Sequence, residues 1–155
     1  MQQSNREGRS DSYRAAGVDI DLKAALLARV ATRIAATLPP EARVPGTDLG
    51  GMMRLDLSGY RQPLLVTSMD GLGTKLRVAR QANRYETIGH DLVHRGINAV
   101  SVRGATPLFF LDYFGTGRLR SPHFECVLHG VAEACKTYGV ILLGGETAEM
   151  PGLYG

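Results

Sequence analysis

Twice in this sequence an apolar run of strand length passes straight into a glycine-bearing polar loop. Pro63–Met69 leads into Asp70-Gly71-Leu72-Gly73-Thr74-Lys75, and Val140–Leu143 leads into Gly144-Gly145-Glu146-Thr147. Between them, Thr87 can cap a helix carrying Ile88, Leu92, Val93, Ile97 and Val100, which ends at Gly104 and Pro107. Leu108–Tyr113 reads as a strand interrupted by Asp112, and Ser121 and Pro122, as N-cap and first residue, open a helix through Tyr138 that Gly139 stops. Ahead of the first loop, Met53, Leu55 and Leu57 alternate with Arg54 and Asp56 in the period of a half-buried strand. From residue 52 the order is therefore strand, strand, helix, strand, helix, strand. Strands joined through single helices are crossover units, so a sheet with parallel pairs and both helices on one face is expected.

Upstream, Leu22, Leu26, Val30, Ile34 and Leu38 recur every four residues, with Asp21 as the expected N-cap and Pro39–Pro40 as a stop. Residues 1–12 show no apolar periodicity and read as a mobile tail. With 155 residues and 44% hydrophobic content, the chain affords one compact core and needs no disulfide or metal staple. Its excess of 18 Lys and Arg over 15 Asp and Glu is small, and Arg77, Arg80 and Arg84, the densest basic set, suit a solvated helix face. Nucleic acid is therefore not an expected partner. Cys126 and Cys135, nine apart in one helical pattern, read as free buried thiols. No apolar run approaches the roughly 20 residues that span a bilayer, and Met1–Arg14 has no secretory apolar segment, so no membrane partner and a cytoplasmic location are expected.

Three sets of residues carry candidate chemistry. In the first loop, Gly71 and Gly73 let backbone N–H groups turn towards an anion, and Lys75 supplies a point charge for phosphate. The spacing is not that of a P-loop. Asp70 repels phosphate unless a divalent cation stands between them, which makes Asp70, Mg²⁺ and phosphate a coherent trio; a plain turn is the alternative. The second set is Asp91, His94, Arg95 and Asn98, which project from one side of the central helix. The alternative there is a solvated face with an Asp91–Arg95 pair worth roughly 0.3–0.5 kcal/mol. His90 and His94 lack the Glu of a zinc HExxH motif. The third set is the Gly144–Met150 stretch, where two glycines permit close backbone approach and Glu146 and Glu149 offer oxygens to a hard cation. Asp112, inside an apolar strand, needs a partner or a cation.

The strings that hold these residues are Tyr13-Arg14-Ala15-Ala16-Gly17-Val18-Asp19-Ile20, the glycine loop ending in Thr74-Lys75, Thr87-Ile88-Gly89-His90-Asp91-Leu92-Val93, Pro107-Leu108-Phe109-Phe110-Leu111-Asp112-Tyr113, and Gly144-Gly145-Glu146-Thr147-Ala148-Glu149-Met150-Pro151-Gly152. In that order, the chain from about residue 13 to its end resembles the phosphoribosylformylglycinamidine cyclo-ligase family, also called aminoimidazole ribonucleotide synthetase. The resemblance implies the N-terminal ATP-binding and dimerisation domain of a longer two-domain enzyme. Its fold is α+β: a mixed sheet with helices packed on one face, paired across a homodimer. The implied reaction uses ATP and Mg²⁺ to phosphorylate the formamide oxygen of formylglycinamidine ribonucleotide. The amidine nitrogen then attacks that carbon and closes the imidazole ring.

Carried over residue by residue, the resemblance implies that Asp70, Gly71, Gly73, Thr74, Lys75 and Asn98 contact the nucleotide, with Gly144, Gly145, Glu146 and Thr147 as a second nucleotide-facing loop. Asp70, Asp91 and Glu146 are the implied metal ligands, and no catalytic residue is singled out. Two departures stand out. Ala99 occupies a position where the family usually carries a metal-binding Asp, and the chain stops at Gly155, ahead of the last strand and the C-terminal domain. The rival expectation is therefore a catalytically inactive, truncated paralogue serving as a dimerising module. Thiamine-monophosphate kinase and selenophosphate synthetase, which share the domain type, fit the Leu108–Tyr113 and Gly144–Gly152 strings less well.

Overall fold

A computed structural model describes residues 11–39 and 51–154. The expected tail before residue 11 lies outside them, while Asp11 and Ser12 join a helical turn over 11–15. Helix α1 spans Ile20–Ala35, and the four-residue stripe buries Leu26 and Val30 as its period requires. Its cap is Asp19, whose Oδ1 accepts from the Leu22 N–H at 2.9 Å. Asp21, the expected cap, sits in the first turn, where its charge still favours the positive end of the helix.

Helix α2, Lys75–Ala82, is short and ends at Asn83, which takes a left-handed φ of 48°. Helix α3 covers Ile88–Ser101 after Thr87, whose side chain makes no capping bond. Strand β1 is Phe109–Thr116, helix α4 is Ser121–Thr137 and strand β2 is Ile141–Glu149. Arg120 rather than Ser121 caps α4; the Ser121 hydroxyl, one residue inside, donates to Glu125 Oε1 at 2.6 Å. Gly139 stops the helix as expected, in a left-handed conformation at φ 63°.

Among the described residues the sheet is a parallel pair, β1 beside β2. Phe109 and Phe110 face Ile141 and Leu142; an extra residue, Leu143, is then bulged out, and Leu111 faces Gly144 through to Thr116 facing Glu149. The expected strands at 53–57 and 63–69 run without strand pairing. Leu64 is 90% and Met69 99% exposed there. An alternating or apolar pattern supplies a side-chain face but no hydrogen-bonding edge, and these segments stand across an open groove from β1 instead of pairing with it. The resulting architecture is a set of helices with a small parallel sheet.

All the main helices pack on one face of that sheet. Val93 of α3, with Val131, Ala132, Ala134 and Cys135 of α4, closes over Val140 and Leu142, with Phe110 alongside. Leu26 and Val30 of α1 meet Phe124 and Leu128 of α4, with Phe114 against them. A third cluster, Ala79, Ile88 and Val127 with Leu72 and Tyr85, fastens α2 to the start of α3 and so fixes where the first glycine loop sits. The α3–α4 crossing brings backbone against backbone: a Cβ on Gly89 would lie 2.1 Å from the Val127 carbonyl oxygen and 2.4 Å from the Val131 amide nitrogen. Both obstructing atoms are backbone, so no rotamer change relieves the clash.

Gly89→Ala is therefore expected to destabilise the domain at or above the upper end of the overpacking range, about 3 kcal/mol. A urea melt in which the variant keeps the wild-type midpoint would refute the close crossing.

Candidate functional site

Gly73 takes a left-handed φ of 56°, which turns the chain from the Asp70–Leu72 segment into α2. Two cross-element ion pairs then hold this loop against α3. Lys75 Nζ lies 3.0 Å from Asp91 Oδ2. Asp70 Oδ2 accepts from Arg95 Nε at 2.7 Å and is in ion-pair contact with Nη2, and its Oδ1 takes the Gly71 N–H at 2.8 Å. The Arg95 guanidinium and that backbone bond hold the Asp70 carboxyl below the usual carboxylate range. The Asp91–Arg95 pair expected along the helix is thus not the one recorded: each partner reaches across to a loop charge of opposite sign. Of the same helix face, His94 stacks edge-on against Tyr138 with ring centroids 5.1 Å apart, and Asn98 is exposed.

The second stretch is strand rather than loop, because Gly144, Gly145, Glu146 and Thr147 continue β2. Gly145 lies directly beneath Asp112, where a Cβ would come 2.2 Å from the carboxyl Oδ1. Glu146 is exposed and meets Lys23 of α1 at 3.1 Å, and the same Nζ donates to the Thr147 carbonyl at 2.6 Å. Glu149, expected to offer oxygens to a cation, is spent on the fold. Its Oε2 accepts the Asp19 N–H at 2.8 Å and its Oε1 the Leu119 N–H at 2.6 Å, tying the starts of α1 and α4 to the end of β2.

Asp70, Gly71, Asp112, Gly145 and Glu146 line one open groove. Gly73, Thr74, Lys75, Asp91, Asn98, Gly144 and Thr147 are not part of its lining. Arg80, Arg103, Arg118 and Arg120 do line it, and they bring positive charge that the sequence pattern assigned to a solvated face or left unremarked. Among the described residues no three His, Cys, Asp or Glu side chains gather closely enough to hold a metal ion.

The model of the family described as AIR synthase related protein, N-terminal domain, matches residues 53–154. The chain belongs to this family. It is 50% identical over 143 residues, 92% of its length, to a phosphoribosylformylglycinamidine cyclo-ligase of Anaeromyxobacter sp. (strain Fw109-5), and 44% identical over 146 residues, 94% of its length, to the enzyme of that name from Geobacter sulfurreducens. A cyclo-ligase of Xanthomonas campestris pv. campestris is 50% identical over 145 residues. The chain spans 42% of the length of each of these three relatives. It is similar to the N-terminal part of enzymes named for ring-closing ligation, as the five sequence strings imply.

Among the described residues of this AIR synthase-type domain, Asp112 is the most perturbed carboxyl. It shares the helix-facing side of β1 with Phe110 and Phe114, which pack into the two main clusters. Burial pushes its pKa from 3.8 up to about 6, with its own backbone N–H working the other way and the Glu146 charge adding to the rise. Burial, aided by the Asp112 charge, likewise pushes the Cys135 thiol up to about 12, so this thiol is no nucleophile. Cys126 is half-buried and free, and burial raises its pKa too. No helix among the described residues is long and apolar enough to cross a membrane.

Since the folded state holds the Asp112 proton more tightly than the unfolded chain, the carboxyl's contribution to stability is complete below about pH 4 and is lost as pH rises through about 6. Asp112→Asn should therefore gain on the wild type by about 2 kcal/mol between pH 4.5 and 7.5, in urea melts at both values. Parallel pH dependence in the two proteins would contradict the buried placement.

Proposed function

We propose that this domain is the ATP-binding half of a cyclo-ligase that closes formylglycinamidine ribonucleotide to aminoimidazole ribonucleotide in purine biosynthesis, working in the cytoplasm as a homodimer. The observation that carries this reading is the pairing of loop and helix charges, Asp70 with Arg95 and Lys75 with Asp91, beside a glycine turn in a chain half identical to the N-terminal part of such enzymes. Exposed ion pairs contribute little to stability. A triphosphate can therefore split them at low cost: Lys75 and Arg95 turn to phosphate oxygens, and Asp70 and Asp91 are released. The backbone N–H groups of Gly73 and Thr74 then cradle the anion while Gly71 shapes the turn through its bond to Asp70, Asn98 reaches the anion from α3, and Gly144, Gly145, Glu146 and Thr147 form the facing wall.

Mg²⁺ fits this donor set in kind. Asp70, Asp91 and Glu146 are carboxylates within reach of solvent, and Mg²⁺ usually takes one or two carboxylates plus substrate phosphates rather than an all-protein cage. The cation would neutralise charge that develops on the phosphoryl group in flight. In the reaction, the formamide oxygen takes the γ-phosphoryl group and ADP leaves. The amidine nitrogen then bonds to that carbon, the C–O bond breaks and inorganic phosphate departs, because phosphate leaves where an amide oxygen does not. The chain's own share is to position the triphosphate electrostatically.

Lys75→Ala removes a charge-assisted phosphate contact of about 1.5–3 kcal/mol, so ATP affinity measured with Mg²⁺ present should fall roughly ten- to hundredfold. Unchanged affinity would sink the assignment of the loop. The rival reading, an inactive dimerising module, predicts no nucleotide binding in either protein.

A further inference from the structure

We propose that Arg95 competes with divalent cations for Asp70, so that this chain's glycine loop meets polyphosphate with a built-in guanidinium in place of part of the metal's charge. The inference rests on the nucleotide reading above and adds a residue that reading does not require. Both oxygens of Asp70 are already used: Oδ2 receives the Arg95 Nε–H with the rest of the guanidinium in ion-pair contact, and Oδ1 receives the Gly71 amide. A cation approaching Asp70 is repelled by the guanidinium on Oδ2 and binds best when one of these two partners is displaced. Arg95 is the exchangeable one, because it is a side chain while the Gly71 bond belongs to the turn itself.

Without a nucleotide to draw Lys75 away, the residues along α3 offer the cation no second free ligand. Asp91, one helical turn before Arg95, is held by Lys75 at 3.0 Å, and Ala99, one turn after it, carries no ligand oxygen. The α3 surface facing the loop thus presents one acid, one Arg and one Ala in succession. Arg95 is more than half exposed, so its guanidinium can swing from Asp70 to an incoming phosphate while the helix backbone stays fixed by the Gly89 crossing. A planar fork with parallel N–H donors suits either acceptor, carboxylate or phosphate. Two arrangements follow: guanidinium on Asp70 with the loop closed against α3, or guanidinium on phosphate with Asp70 free.

The test is Mn²⁺ binding to the intact chain without nucleotide, followed by the electron paramagnetic resonance signal of free Mn²⁺. Arg95→Gln should bind Mn²⁺ at least about fivefold more tightly than wild type, since losing the charge-assisted competitor frees Asp70. Adding Asp70→Asn should abolish that gain. Equal affinity in wild type and Arg95→Gln overturns the proposal, as does a gain that survives Asp70→Asn. If Arg95→Gln loses its helical circular dichroism, Arg95→Lys, which keeps the charge but not the fork, replaces it with a smaller expected gain of about twofold. A fluorescent ATP analogue supplies the second arm: wild type should keep a larger share of its affinity in EDTA than Arg95→Gln does, and an equal share counts against the guanidinium's role. If the analogue binds no variant with or without Mg²⁺, the nucleotide reading fails, while the Mn²⁺ comparison still decides what Arg95 does at Asp70.

Discussion

The close crossing of α3 over α4 at Gly89 is the constraint on which the rest of the arrangement depends. Backbone meets backbone there, so α3 cannot slide or roll without a clash. Asp91 and Arg95 lie half a turn and a turn and a half further on, and their direction is inherited from that contact. The cluster of Ala79, Ile88 and Val127 then brings α2, with Lys75 at its start, to the same end of α3. Packing, not charge, places the four side chains. The ion pairs select among orientations that the core already allows, which is why a ligand can exchange them without unfolding anything.

A similar economy holds on the sheet. Gly145 exists as glycine beneath Asp112 because any Cβ would strike that carboxyl. Glu149 anchors the starts of α1 and α4 with one carboxylate, and the α1 it holds presents Lys23 to Glu146. The acids of this stretch therefore divide by burial and partner: Asp112 is half-buried and proton-hungry, Glu149 is saturated by amides, and Glu146 is exposed and exchangeable. Only the last has the freedom that a ligand-binding acid needs.

Where local chemistry decides structure, it could be read directly. The stripe of α1, the Gly139 stop and the free thiols follow from side chains within a turn or two of one another. Where a distant partner decides, it could not. The runs at 53–57 and 63–69 have strand character but no paired edge, and Gly144–Glu149 forms strand because β1 lies beside it, although its glycines and acids read as loop. Asp91 and Arg95 have the spacing of a helical pair, but nothing in that spacing says that Asp70 and Lys75 arrive from another element. Glu149 gave no local sign that two amides from chain segments 130 and 30 residues away would consume it. The family resemblance, by contrast, was readable from five ordered strings, because such strings preserve the long-range arrangement that single-residue patterns lose.

The central claim is that the glycine loop, the facing side of α3 and the glycine stretch of β2 form one phosphate-binding surface. Amide NMR of the ¹⁵N-labelled chain titrated with a non-hydrolysable ATP analogue and Mg²⁺ tests it most directly. The account predicts concerted shifts of Gly71, Gly73 and Thr74, of the Arg95 side-chain Nε–H, and of Gly144 to Thr147, while Gly89 in the fixed crossing and Gly139 at the far end of α4 stay in place. Shifts confined to Gly89, Gly139 or other residues outside that surface, or none at all at millimolar analogue, would contradict it.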